Sequence, residues 1–131
     1  MNKKLLVAGS LFGLLGVILG AFATHTLGNL IEPENIASFN TGVRYQIYHA
    51  FLFLLLGFTD MISKRTKQIM FYGLLTGVLL FSGSIYVLAT NALTSFDFKT
   101  IALLTPIGGL ILILSWAYLL FTFVRKPVDK N

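Results

Sequence analysis

The chain has 131 residues, of which 56% are hydrophobic and 11% charged, with 12 glycines, no cysteine and a formal net charge of +5. A water-soluble fold of this size would leave much of that apolar surface wet, whereas a bilayer would solvate it. The absence of cysteine excludes disulfides, thiolate metal sites and thiol catalysis. The basic residues stand beside the ends of apolar stretches, where orientation and anionic headgroups account for them, so no nucleic-acid partner is expected.

Four apolar stretches occupy roughly residues 5–24, 43–62, 69–90 and 101–124, each about the 20 residues that a bilayer-spanning helix needs. The pattern predicts a single domain over 1–131, an all-α membrane protein built as a four-helix transmembrane bundle.

The first stretch follows Lys3 and Lys4 and carries Gly9, Gly13, Gly16 and Gly20. On a helix these four fall within an arc of about 60°, a stripe that lets a neighbouring backbone come close. Lys3-Lys4, the apolar run and Ala21-Phe22-Ala23 also have the layout of a secretory signal, but the run is long for one, and an uncleaved span is the expectation. The joint that follows holds Glu32, Pro33 and Glu34, a combination suited to the first turn of a helix. Ile36, Phe39 and Val43 then recur at helical spacing, so a short interfacial helix is expected to lead into the second span.

The second stretch has Arg44, Tyr45, Gln46 and His49 near its outer end and Asp60 at its inner end. Ionisable and polar groups at membrane depth are the functional candidates of such a protein. Helical geometry puts Gly42, Gln46, His49 and Phe53 on one face with Tyr45 at its margin, and Arg44 on another. Gln46 and His49 are expected to face the bundle and bond to another span, with Thr105, Ser84, Asn91 and His25 as available partners. A histidine that locks helix register is the leading reading, and a proton-relay or ligand role is its rival. His25 and His49 alone make a poor metal or haem set, because such sites supply three or four ligands, so no metal and no cofactor are expected.

Lys64, Arg65 and Lys67 fill the next joint, and the third stretch offers a small-residue face through Gly73, Gly77 and Ser84, with Gly83 beside it. The simplest architecture packs spans one and three through their two small-residue faces, and self-association is the rival use. Asp97 stands against Lys99 in the third joint. The fourth stretch contains Thr105-Pro106 and then Gly108-Gly109. Either proline kinks the helix, or Thr105 caps a helix that begins at Pro106; both leave a thin spot at the glycines. Arg125, Lys126 and Lys130 follow. With positive charge in every second joint, both termini are expected in the cytoplasm, in a multi-pass cell-membrane protein.

Four segments carry a resemblance. Gly20-Ala21-Phe22-Ala23-Thr24-His25, Tyr45-Gln46-Ile47-Tyr48-His49-Ala50, Phe81-Ser82-Gly83-Ser84-Ile85-Tyr86 and Thr105-Pro106-Ile107-Gly108-Gly109 resemble, in order and one per span, the signature segments of the YgdD/YwdK-like family of small membrane proteins. That is a domain-of-unknown-function family with eukaryotic transmembrane relatives. Ser115 precedes Trp116 where the family tends to have Gly-Trp, and Thr24 replaces a small residue before the histidine. The resemblance implies a four-span inner- or plasma-membrane protein without an established reaction. It also implies one outer-half polar cluster of His25, Tyr45, Gln46, His49, Ser82, Ser84, Thr105 and Pro106.

No paired acid lies within a span and no serine has an evident basic partner, while Glu32 and Glu34 read as a solvated helix start. The expectation is therefore a non-enzymatic integral membrane protein that stabilises the membrane or a membrane complex through helix packing, with lipid, other membrane proteins or a second copy as partners. A small oligomeric transporter or channel subunit lined by His49, Gln46, Ser82 and Ser84 is the alternative, weakened by the lack of midplane carboxylates.

Overall fold

A computed structural model describes residues 2–127 and is all-helical over them; Lys130 lies outside that range. Four long helices, α1 (Lys3–His25), α2 (Pro33–Phe58), α3 (Lys64–Ala89) and α4 (Leu104–Val124), are joined by short connections that include single 3-10 turns at Leu27–Asn29, Asn91–Leu93 and Lys99–Ile101.

Local chemistry explains the helix starts. The Asn2 side chain accepts the Leu5 N–H at 3.2 Å and caps α1, and Ser63 accepts the Thr66 N–H at 3.1 Å to cap α3; each satisfies a donor that the first turn leaves open. Pro33 takes the first position of α2, with Glu34 in the same turn, where a missing N–H costs nothing and negative charge is favoured. The interfacial helix expected before span two is continuous with it: Phe39 and Val43 are buried, and α2 runs unbroken from Pro33.

α4 resolves the reading of Thr105-Pro106. The helix begins at Leu104, so Pro106 sits in the first turn, and Thr105 is inside the helix rather than its cap. A proline there interrupts no hydrogen bond, because first-turn N–H groups have no helical partner.

The packing order follows the chain. α1 lies on α2, α2 on α3, and α3 on α4. The expected seam between spans one and three is therefore corrected: the glycine stripe of α1 meets α2, and that of α3 meets α4. A Cβ placed at Gly9 would stand 2.8 Å from Leu54 Cγ and 2.9 Å from the Ala50 carbonyl oxygen, and one at Gly16 would stand 2.7 Å from Ile47 Cγ1. At Gly77 it would meet Leu112 at 2.6 Å, and at Gly73 the Ser115 hydroxyl at 2.5 Å, both on α4. Short connections make sequence neighbours into spatial neighbours, so each stripe is used by the adjacent helix.

Two apolar cores result. One, around Leu5, Phe12, Phe53, Met70, Leu74 and Leu112, fills the bundle from the end where α1 begins. The other gathers Ala23, Leu27, Phe39, Val43 and Ala89 near the opposite end. Outward-facing Val17, Leu55, Leu79, Ile113 and Leu120 are exposed, as lipid-facing residues are.

Three segments, Lys3–Asn29, Lys64–Ala89 and Lys99–Val124, are long and apolar enough to cross a membrane. α2 has the same length as α3, 26 residues, but carries Arg44, Gln46 and His49 near its middle. Gln46 and His49 are each only 4% exposed, so the neighbouring helices shield their polar atoms, whereas Arg44 is exposed.

Candidate functional site

Between the two cores lies a belt of polar side chains that join helices. Gln46 reaches in both directions from α2. Its Nε2 donates to the Phe12 carbonyl of α1 at 2.9 Å, and its Oε1 accepts the Tyr86 hydroxyl of α3 at 2.6 Å. One amide thus clamps three helices, with donor and acceptor ends both satisfied. Ser82, 1% exposed, donates from α3 to the Gly42 carbonyl at 2.7 Å. Gly42 makes that approach feasible, because a Cβ there would meet the Tyr86 ring at 2.8 Å.

His49 joins α2 to α4. Its Nδ1 lies 2.6 Å from the Tyr45 carbonyl one turn back, and its Nε2 is 3.0 Å from the Trp116 indole nitrogen. A carbonyl can only accept and an indole N–H can only donate, so the partners select the neutral tautomer with its proton on Nδ1. Both ring nitrogens are then engaged by groups of the fold. Ser84 completes the belt by bonding to Thr105 of α4 while donating to the Phe81 carbonyl of its own helix at 3.0 Å.

Of the expected cluster, Gln46, His49, Ser82, Ser84 and Thr105 thus come together. Tyr45 is at the margin and partly exposed, with its ring 5.1 Å from that of Phe81. His25 is exposed at the end of α1 and takes no part in the belt's hydrogen bonds, and Pro106 is exposed. His49 bonds to none of Thr105, Ser84, Asn91 or His25; its partner is Trp116. Two members escaped the sequence reading, Tyr86 and Trp116. Tyr86 follows Ser82 by four residues, which puts both on one helix face, and this spacing was the available signal. Trp116 was marked only by its place in the family-like pattern, with nothing to pair it with His49.

Among the described residues, every fully buried side-chain nitrogen or oxygen has a hydrogen-bond partner. The belt therefore acts chemically as a set of interhelical fasteners. One face of it is open to the outside: Tyr45, His49, Phe81, Gly109, Ile113 and Trp116 line a groove of about 450 Å³ between α2 and α4.

The comparisons with known proteins point to membrane proteins. The family model described as "Protein of unknown function (DUF423)" matches residues 19–109, which include all of α2 and α3. A UPF0382 membrane protein of Haemophilus influenzae is 33% identical over 121 residues, covering 92% of this chain and 94% of the relative. The UPF0382 membrane protein YwdK of Bacillus subtilis is 32% identical over 129 residues, covering 94% and 98%. The UPF0382 inner membrane protein YgdD of Escherichia coli K12 is 32% identical over 128 residues, covering 95% and 92%. No solved structure matches. With its family match over most of the chain and relatives of nearly equal length, the protein belongs to the DUF423 family of small membrane proteins.

Proposed function

We propose that this protein is a non-enzymatic integral membrane protein that stabilises the cell membrane or a membrane complex through helix packing. The observation that carries this reading is the state of the polar belt between the two cores. Gln46, His49, Ser82 and Ser84 each bond to a group on another helix, so the polar atoms that could serve a substrate serve the fold. Helix association in lipid relies on such bonds and on close backbone contact, and this chain uses both. In this reading all four helices cross the bilayer, α2 shielded by its neighbours, and the ends bearing Lys3, Lys64 and Arg125 lie in the cytoplasm. Placement in the inner or plasma membrane is supported by the printed name of the relative from Escherichia coli.

Gene deletion followed by quantitative membrane proteomics and a dye-permeability assay tests the proposal. The expected outcome is loss of a defined set of membrane proteins or a rise in permeability. Unchanged levels of other membrane proteins together with unchanged permeability would refute it.

The groove beside His49 favours a second reading, a small oligomeric transporter or channel subunit in which copies meet across α2 and α4. Flux of a small solute into proteoliposomes that disappears with His49→Ala would support it, and absence of flux would retire it.

A further inference from the structure

A second cavity lies away from the polar belt, at the end of the bundle where α1 and α3 begin. It measures about 710 Å³ and is lined by Lys3 and Lys4 of α1, Asp60 of the α2–α3 joint, and Lys64, Lys67 and Tyr72 of α3 among others. Its walls are held by specific bonds. The Asn2 N–H donates to the Gly57 carbonyl at 2.9 Å, which ties the start of α1 to the end of α2. The Lys126 ammonium donates to the Met61 carbonyl at 2.6 Å, which ties the end of α4 to the joint. Asn2 and Ser63, the caps of α1 and α3, both stand on the cavity wall.

The charge pattern runs against the helices' own preference. Helix N-termini carry partial positive charge and favour acidic first turns, yet both α1 and α3 open with lysines and have no acid in the first turn. Four lysines line the cavity against one carboxylate, Asp60, and one of the four, Lys67, is only 6% exposed. Two helix starts and four lysines around one space make an anion-binding environment. Phe71 and Tyr72 add aromatic wall, and Tyr72 is 51% exposed. The space thus combines a cationic lining with an apolar one from Ile62, Phe71 and Tyr72.

We propose that this cavity binds a phosphate group, presented by the headgroup of an anionic membrane lipid, with Lys3, Lys4 and Lys64 contacting the phosphate and Tyr72 lying along the start of an acyl chain. The apolar lining favours a lipid source over free phosphate, and the cavity's position at the basic end of the bundle puts it at headgroup level.

Native mass spectrometry of the full-length protein in mild detergent tests the assignment, with phosphatidylglycerol and phosphatidylcholine of identical chains as probes and inorganic phosphate as a separate competitor. Phosphatidylglycerol should be retained over phosphatidylcholine. Lys3→Gln combined with Lys64→Gln should weaken that retention by about fivefold per lysine, and Lys64→Arg should preserve it. Both side chains are exposed, so these changes do not disturb the core, and unchanged helical circular dichroism checks this. Lys99→Gln, in the joint at the other end, should leave retention unchanged. Equal retention of the two lipids, full retention in the double variant, or the same loss in Lys99→Gln would overturn the proposal. Saturable binding of inorganic phosphate that displaces the lipid completely would reassign the site to a soluble anion and also overturn the lipid assignment.

Discussion

The α1–α2 and α3–α4 seams are both built on glycine, but they yield to pressure differently. Along α1, the glycines mostly face side-chain ends: Ile47 at Gly16 and Val43 at Gly20, with the Ala50 carbonyl oxygen approached only at Gly9. In the α3–α4 seam, Gly108 lies directly against backbone, and a Cβ there would overlap the Phe81 nitrogen and stand 2.8 Å from the Leu80 carbonyl carbon. The first seam is adaptable over much of its length and is fixed in register by the Gln46 amide. The second also meets side chains, at Gly73 and Gly77, but is fixed by main-chain shape at Gly108. Close packing in lipid thus has two sources of specificity, and one four-helix protein uses a different one on each side.

The largest effect should come from forcing the shape-determined seam. Gly108→Ala cannot be relieved by a rotamer change, because the obstacle is main chain, so α4 must move away from α3. A destabilisation of about 3 kcal/mol is expected, the upper range for overpacking, measured as a shift in unfolding in mixed SDS micelles. Gly16→Ala meets side chains rather than main chain, Ile47 first and then the Gln46 amide nitrogen at 3.6 Å, and should cost about 1 kcal/mol. Equal losses in the two variants would remove the distinction between the seams.

Much of this was legible in the sequence, because helices in lipid advertise themselves by length and apolarity. The stripe Gly9, Gly13, Gly16, Gly20 and the face shared by Gln46 and His49 follow from the 3.6-residue period alone, and both packing faces and the burial of Gln46 and His49 are found in the fold. Which helix each face meets did not follow. Small-residue faces are complementary to any close backbone, so the stripe of α1 gave no preference between α2 and α3. Nor did Gly57 announce itself: it stands apart from the α1 stripe, yet a Cβ there would meet Leu6 at 2.7 Å. The His49–Trp116 bond spans 67 positions, and its indole lies on a helix whose sequence is apolar nearly all round, without a polar face to mark it. The basic cavity was visible only as charges that orient the chain, because its volume depends on three separate segments meeting at one end.

Cutting the register device of the adaptable seam should have a smaller effect. Gln46→Leu leaves the Phe12 carbonyl with only its helical bond and removes the acceptor of the Tyr86 hydroxyl. Interhelical bonds in membranes average well under the value of a fully desolvated pair, so about 1 kcal/mol is expected for losing the two. The comparison sharpens with the double variant Gln46→Leu/Gly108→Ala. The two sites belong to different seams, so their costs should add within about 0.5 kcal/mol. Strong coupling would mean that the seams form one cooperative unit. Trp116→Phe keeps most of the ring but loses the indole N–H that His49 accepts, and should cost about 0.5 kcal/mol by the same unfolding measurement.

The smallest effect should come from a glycine that serves neither seam. Gly83 lies between Ser82 and Ser84 within one of the family-like segments, but a Cβ there would meet nothing within 4 Å. No glycine in the described chain has positive φ, so alanine fits the backbone of α3 without strain. Its helix propensity exceeds that of glycine by up to about 1 kcal/mol in water, and in lipid the helix is already fully hydrogen-bonded, which reduces the gain. Gly83→Ala should therefore unfold within about 0.5 kcal/mol of the parent protein, on the stabilising side. If it instead lost stability on the scale of Gly108→Ala, the open face of α3 at Gly83 would have to be covered by another chain. Crosslinking through a cysteine introduced at position 83 would then capture that neighbour in the native membrane, and the small-residue face would belong to association between proteins as well as to the fold.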